Sequence, residues 1–167
     1  GGSIYWMGNG GSASDAEHLA AELAGRFKDD RRPLSSYSLT SNSSLITAIA
    51  NDYGFEQIFR RQVKAYLKPS DLLIGITTSG KSLNVLNALK DATELGAKEI
   101  FLEVRADNSI AQKLYKLFGF KQIGTRKKYY QPDGVDAFIM KTDLKSKVNK
   151  EPFVLGIETS CDETGVG

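Results

Sequence analysis

Histidine and cysteine are almost missing from this chain. Its 167 residues include one histidine, His18, and one cysteine, Cys161. A lone cysteine excludes a disulfide within the chain and fits a reducing cytoplasm. A lone histidine excludes any site that draws two imidazoles from one chain. No apolar run approaches the roughly 18 residues of a membrane span, and no charged-then-apolar leader opens the sequence, so no membrane partner is expected. The chain begins GGSIYW without a methionine, which suggests an N-terminus that is processed, engineered or cut from something longer.

What is present is ordinary for a globular protein: 41% hydrophobic and 25% charged residues, enough at this length for one respectable core or two small ones. The net charge of +2 is unevenly spread. Residues 1–97 hold 10 basic and 10 acidic side chains, residues 98–150 hold 12 and 6, and residues 151–167 hold 0 and 4. The chain therefore changes character near residue 98 and again near residue 150. A solvated basic face is the plainest meaning of the middle segment.

Hydrophobic periodicity sets out an alternation. "IYWMG" (4–8) reads as a buried strand running into the glycine turn "GNGGS". Ser14–Glu17 has the pattern of a capping box, continued by the helical spacing of "AEHLAAELAGRF". "LSSYSLT" (34–40) is a weak strand, Asn42 or Ser43 can cap a helix through "LITAIAN", and "FEQIFRRQVKAYL" (55–67) makes another helix. "LLIGITT" (72–78) is a fully apolar strand, "SLNVLNALKDATELG" (82–96) a helix ending on Gly96, and "EIFLEV" (99–104) the next strand. Strand and helix alternating with short loops predict an α/β fold with a mainly parallel sheet covered on both faces. Ligands of such sheets sit at the carboxyl ends of strands, near helix N-termini. Two Gly/Ser-rich loops have that address, "GNGGSAS" after the first strand and "TTSGKS" after the third.

The second loop lies in "GITTSGKS" (75–82), which satisfies the nucleotide P-loop pattern G-x-x-x-x-G-K-[ST]. Two readings compete. Gly75 falls inside an apolar strand, which leaves a turn too short to wrap a polyphosphate, and no apolar strand ends in the Asp that would hold magnesium. A compact loop for a single phosphate is the better reading.

"GNGGSASDAEHLAAELAGRF", "ANDYGFEQIF" and "ITTSGKSLNVLNAL" together resemble the sugar isomerase (SIS) domain of bacterial sedoheptulose 7-phosphate isomerases, the phosphoheptose isomerases of lipopolysaccharide heptose synthesis. The resemblance spans residues 1–98 and implies a three-layer, flavodoxin-like αβα domain. By position, Asn9, Gly10, Gly11, Asn51 and Asp52 would contact substrate. Thr77, Thr78, Ser79 and Ser82 would hold its phosphate, with Lys81 at a variable position of that loop. His18 and Glu22 match residues that hold a metal ion, taken as zinc, and the sugar, and Glu22 would also be the catalytic base. Aldose–ketose isomerisation moves a proton through an enediol, so it needs a carboxylate base and a group that polarises the carbonyl. Spacing of i, i+4 sets His18 and Glu22 on one helix face, workable as half a metal site, although such a pair is commonly no more than a surface contact. The family draws a glutamine and a second histidine from a C-terminal helix, and this chain has no second histidine. Its N-terminal helical segment is missing as well. The expectation is a phosphorylated sugar as ligand, a homo-oligomer built through the SIS domain, no nucleic acid at the first half, and impaired turnover.

Residues 100–144, "IFLEVRADNSIAQKLYKLFGFKQIGTRKKYYQPDGVDAFIMKTDL", resemble the C-terminal part of ribosomal-protein alanine N-acetyltransferases of the GNAT fold. That likeness implies Glu103 as base toward an N-terminal amine, Tyr115 as acid toward the CoA thiolate, and Asn108 in contact with acetyl-CoA. The loop that would hold the CoA pyrophosphate is absent. Residues 151–167 resemble the opening of the catalytic subunit that makes threonylcarbamoyladenosine in tRNA, an actin-like ATPase fold, but are expected to be loose. The chain thus looks like a composite: a partial SIS domain over 1–98, a partial GNAT-like αββ piece with antiparallel strands over 99–144, a linker at 145–150, and a terminal fragment. Besides the isomerase-like reading, it leaves open an acetyltransferase and a non-catalytic module that senses phosphosugars or assembles.

Overall fold

The computed structural model describes residues 2–77, 81–95, 99–117, 119–130, 132–143 and 153–157. Its elements run β1 (Ile4–Met7), α1 (Gly11–Ala24), β2 (Ser36–Ser38), α2 (Ser43–Tyr53), a 3-10 turn (Phe55–Gln57), α3 (Ile58–Tyr66), β3 (Leu72–Ile76) and α4 (Leu83–Glu94). Then follow β4 (Glu99–Arg105), α5 (Ser109–Leu117), β5 (Lys121–Tyr130), β6 (Val135–Asp143) and β7 (Phe153–Ile157). The seven strands form one sheet in the order β2-β1-β3-β7-β4-β6-β5. The first five in that order pair in parallel, and β6 and β5 add antiparallel strands at the far edge. The expected α/β class, with a mainly parallel sheet and antiparallel additions, is the architecture found.

Period-two alternation of the strands sorts the core into two faces. Met7 and Leu73 pack with Ile49, Ile58, Phe59, Val63, Val85, Ala88 and Ala92 of α2, the 3-10 turn's neighbour α3, and α4. Trp6, Ile74 and Ile76 point the other way and are covered by Ala16 and Ala20 of α1. Small residues on α1 let the helix lie close against the sheet. A third cluster joins Val104 of β4 to Met140, with Tyr115, Phe120 and Phe138 packed around it. The row Leu73–Val154–Ile100 carries the alternation across the sheet, so α5 covers the same face as α2–α4.

Two local expectations change. The capping box at Ser14 does not open α1. The helix starts at Gly11 from Gly10, whose φ of 55° turns the chain straight out of β1, with no side-chain cap. Only glycine takes that backbone conformation without strain, and Ser14 is already inside the helix. The Asn42 cap does form, its side chain accepting from the Leu45 N–H at 3.0 Å. The second change is larger. Residues 151–167 were expected to be loose, yet Phe153–Ile157 lies between β3 and β4. Its continuous apolar run is the signature of a parallel strand buried on both faces, and two open strand edges were there to receive it. Cys161 and the linker 145–150 lie outside the described residues.

One polar contact ties the helical layer. Asp91 of α4, 1% exposed, accepts from Arg60 Nε at 2.7 Å and from Arg60 Nη2 at 2.8 Å, with Lys64 Nζ at 3.4 Å. The Arg60 guanidinium holds the Asp91 carboxyl below the ordinary carboxylate range.

Two outcomes are expected. A chain ending at residue 150 loses both ladders of β7 and exposes the edges of β3 and β4, so gel filtration should show aggregates or oligomers where the full chain gives a single species. A monomeric, cooperatively melting truncation would show that β7 is dispensable. Because the folded-state pKa of Asp91 lies below its unfolded value, its contribution is present above that unfolded value and drains away as pH falls through the folded one. Asp91→Asn should therefore cost about 3 kcal/mol in urea unfolding at pH 7, with the gap to the parent narrowing below about pH 4. A gap unchanged from pH 7 to pH 3 would contradict the charge pairing.

Candidate functional site

Strands β1 and β3 run side by side in the same direction, so the loops that leave them emerge at one edge of the sheet. Each loop leads into a helix, α1 from the first and α4 from the second. The start of each helix carries the positive end of the helix dipole, which favours an anion.

The two loops are tied together by a reciprocal amide pair. Asn9 Nδ2 donates to Asn84 Oδ1 at 2.9 Å, and Asn84 Nδ2 donates to Asn9 Oδ1 at 2.8 Å. Asn84 Oδ1 also accepts from the Val85 N–H at 2.9 Å. Asn84 is 2% exposed, so its amide has given up water and depends on these partners. Asn84 was not among the residues singled out from sequence. Its only signal is an amide set between Leu83 and Val85 at the start of an otherwise apolar helix face.

Of the second loop, the Thr77 and Ser82 hydroxyls lie 3.3 Å apart, and Ser82 is the residue that precedes α4. Thr78, Ser79 and Gly80 lie outside the described residues. Gly75 sits inside β3. A Cβ there would stand 2.9 Å from Val85 Cγ1 and 3.2 Å from Met7 Cε. This glycine lets α4 approach β3, and it plays no part in a phosphate-wrapping loop.

His18 and Glu22 share one face of α1, with His18 Nε2 3.4 Å from Glu22 Oε1. His18 is 72% exposed and Glu22 24%. Helical rise places them about 10 and 16 Å along the axis from the first residue of α1. The second carboxylate oxygen of Glu22 is buried and has no hydrogen-bond partner, which leaves it able to accept from a ligand. As a zinc site the pair is incomplete. Zinc takes four ligands, three or more of them from protein, and no group of three His, Cys, Asp or Glu side chains comes together among the described residues. These residues do not fit a zinc ion by themselves.

Asn51 and Asp52 belong to neither loop. They lie in the last turn of α2, bonded to each other at 2.9 Å. Asp52 helps line a cleft of about 310 Å³ between α2 and α3 with Tyr53 and Arg61, where the Arg61 guanidinium stacks 3.9 Å from the Tyr53 ring centre. A larger groove of about 570 Å³ follows the outer edge of β2, lined among others by Tyr5, Glu17, Tyr37, Gln62 and Tyr66.

In the second half, Glu103 lies in β4, paired in register with Ile139 and Ile157. The Asn108 backbone closes the turn into α5, its N–H donating to Arg105 O at 3.1 Å while its carbonyl accepts from Gln112. The Tyr115 ring packs against Phe120 with centroids 5.8 Å apart.

The SIS domain family matches residues 1–102. A phosphoheptose isomerase of Aquifex aeolicus is 52% identical over 118 residues, which cover 71% of this chain and 62% of that protein. Among solved structures, a phosphoheptose isomerase from Francisella tularensis has a TM-score of 0.56 at 42% identity, covering 59% of this chain and 52% of that one. The phosphoheptose isomerase of Neisseria gonorrhoeae has a TM-score of 0.51 at 48% identity, covering 56% and 47%. The chain spans 62%, 57% and 55% of the lengths of the first three curated relatives.

The amide pair generates a direct test. In a double-mutant cycle of Asn9→Ala and Asn84→Ala, each single change should cost about 1–3 kcal/mol. The pair should show a coupling of at least about 0.5 kcal/mol. Strictly additive losses would mean that the two amides act independently.

Proposed function

From its membership of the SIS domain family, and its identity with phosphoheptose isomerases, we propose that this chain binds a phosphorylated sugar, sedoheptulose 7-phosphate, at the loops following β1 and β3. The observation that carries this reading is the Asn9–Asn84 pair, which locks together the two anion-receptive helix starts. The phosphate would sit against the backbone N–H groups opening α4, with the Thr77, Thr78, Ser79 and Ser82 hydroxyls around it. Gly10 and Gly11 present open backbone, so the sugar can approach it there. The sugar would extend along α1 toward His18 and Glu22.

Isomerisation transfers a proton between neighbouring carbons through an enediol. Glu22 is the group available as base, and its orphaned oxygen is the atom that would take the proton. His18, held beside it, would hydrogen-bond a sugar oxygen. The second histidine that the family draws from a C-terminal helix has no counterpart here, since His18 is the chain's only histidine. We therefore expect binding with turnover far below that of a complete isomerase, in a cytoplasmic protein that assembles as a homo-oligomer. The helix that completes the site in the family would have to come from outside residues 1–98.

The test is calorimetry and a thermal melt with sedoheptulose 7-phosphate. At 100 times Kd, ligand should add about 2.7 kcal/mol of stability and raise Tm by several degrees. Ser82→Ala should weaken binding of both the sugar phosphate and inorganic phosphate about tenfold, corresponding to one hydrogen bond to a charged group. Glu22→Gln should leave affinity within about threefold while abolishing residual turnover. No heat and no shift with sedoheptulose 7-phosphate would sink the reading.

A further inference from the structure

Strand β2 is one edge of the sheet, and the larger groove runs along its outer side. Parallel pairing fixes which backbone groups face that groove. In a parallel ladder the N–H and C=O of one residue point to the same side, and successive residues alternate. The Ile4 N–H donates to Ser35 O, and the Leu39 N–H donates to Trp6 O. Ser35, Tyr37 and Leu39 therefore turn their groups toward β1, and Ser36 and Ser38 turn theirs outward. The Ser38 carbonyl accepts from the Ser41 hydroxyl at 2.9 Å. The Ser36 N–H, the Ser36 C=O and the Ser38 N–H meet no partner among the described residues. Ser36 is 7% exposed, with its hydroxyl held by Trp6 Nε1 at 2.9 Å. Backbone groups so shielded from water gain by being paired.

The groove has a wall on each face of the sheet. On the α1 side stand Ala20 and Ala24, whose small side chains leave room beside the strand, and Glu17. Glu17 is the one charged side chain that lines the groove among the described residues. One of its oxygens accepts from the Thr40 hydroxyl at 2.8 Å, and the other meets no partner among the described residues. On the opposite side, the Tyr37 ring stacks on Tyr5 with centres 5.6 Å apart, and Tyr5 on Tyr66 at 6.5 Å. Tyr37 and Tyr66 keep 52% and 43% of their surface exposed.

From this arrangement we infer that the groove takes an extended basic peptide segment, which adds to the sheet as a further strand beside β2. Its backbone pairs with Ser36 and Ser38. These stand about 7 Å apart along β2, the interval at which an extended chain repeats its own edge-facing groups. Its side chains alternate between the walls: an apolar residue against Ala20 and a Lys or Arg at Glu17 on one side, an aromatic ring on Tyr37 and Tyr66 on the other. Main-chain bonds give such a complex its affinity, and the alternate side chains give it selectivity. Glu17 disfavours an acidic ligand, and a helix would leave the edge groups unmet. None of these groups belongs to the loops after β1 and β3.

The test is fluorescence anisotropy of the full chain with a labelled peptide GRYVYRG, whose side-chain pattern is the same in either direction. N-methylation of alternate residues removes one row of peptide N–H donors and leaves the side chains in place. One alternate set should abolish binding, and the other should leave it within about threefold. Ser38→Pro removes an outward donor and no bond to β1, so it should weaken binding at least about tenfold, whereas Ser38→Ala should stay within about twofold. Glu17→Gln should cost about twofold to fivefold. If Ser38→Pro fails to fold, the N-methylated peptides carry the test without it. No binding at about 1 mM peptide would overturn the assignment, and so would equal tolerance of both N-methylated sets. A dimer of the unliganded chain that Ser38→Pro dissolves would also overturn it, giving the edge to a second copy.

Discussion

Strands β3 and β4 are not hydrogen-bonded to each other. Each pairs with one side of β7, a five-residue strand drawn from the far end of the chain. Everything on the β3 side, including both anion-receptive loops, is joined through this ladder to everything on the β4 side. A parallel strand in that place must be apolar on both faces and must satisfy its N–H and C=O groups on both edges. Phe153–Ile157 meets the first demand by composition and the second by position. The charge steps near residues 98 and 150 mark where the chain changes character, and the sheet spans both of them.

On the β3 side, the site depends on close approach. Gly75 lets Val85 and Met7 pack where a side chain would stand, which brings the start of α4 against the sheet. That approach buries Asn84 and leaves the Asn9 amide as its partner. A polar pair in a dry setting is costly to leave unmade, so it fixes the spacing of the two loops. At the back of α4, Asp91 fastens the helix to Arg60 of α3. The loop geometry is thus held from both ends of one helix.

Much of this was legible in residue patterns. Strand and helix alternation gave the parallel sheet, and the apolar run around Gly75 argued that it was a strand residue. The antiparallel edge was readable from "FKQIGTRKKYY" and "DAFIMKTD". The structure brings Asn9 against Asn84 in the first turn of α4, while Asn51 and Asp52 fall on the exposed end of α2. The Asn9–Asn84 pair was invisible because its partners are 75 residues apart, and nothing local marks an asparagine as buried. The Ser14 capping box failed because a local pattern competes with the backbone freedom of Gly10.

Residue patterns alone carried the class of fold, the two Gly/Ser-rich turns, the family likeness of residues 1–98 and the single histidine. Those properties are local: each is carried by neighbouring residues or by a count. Tertiary structure decided the rest. It placed β7 in the middle of the sheet and paired Asn9 with Asn84 and Arg60 with Asp91. Each of these depends on register between distant segments. Register is set by which strand edges remain free and which faces remain uncovered once the whole sheet has formed.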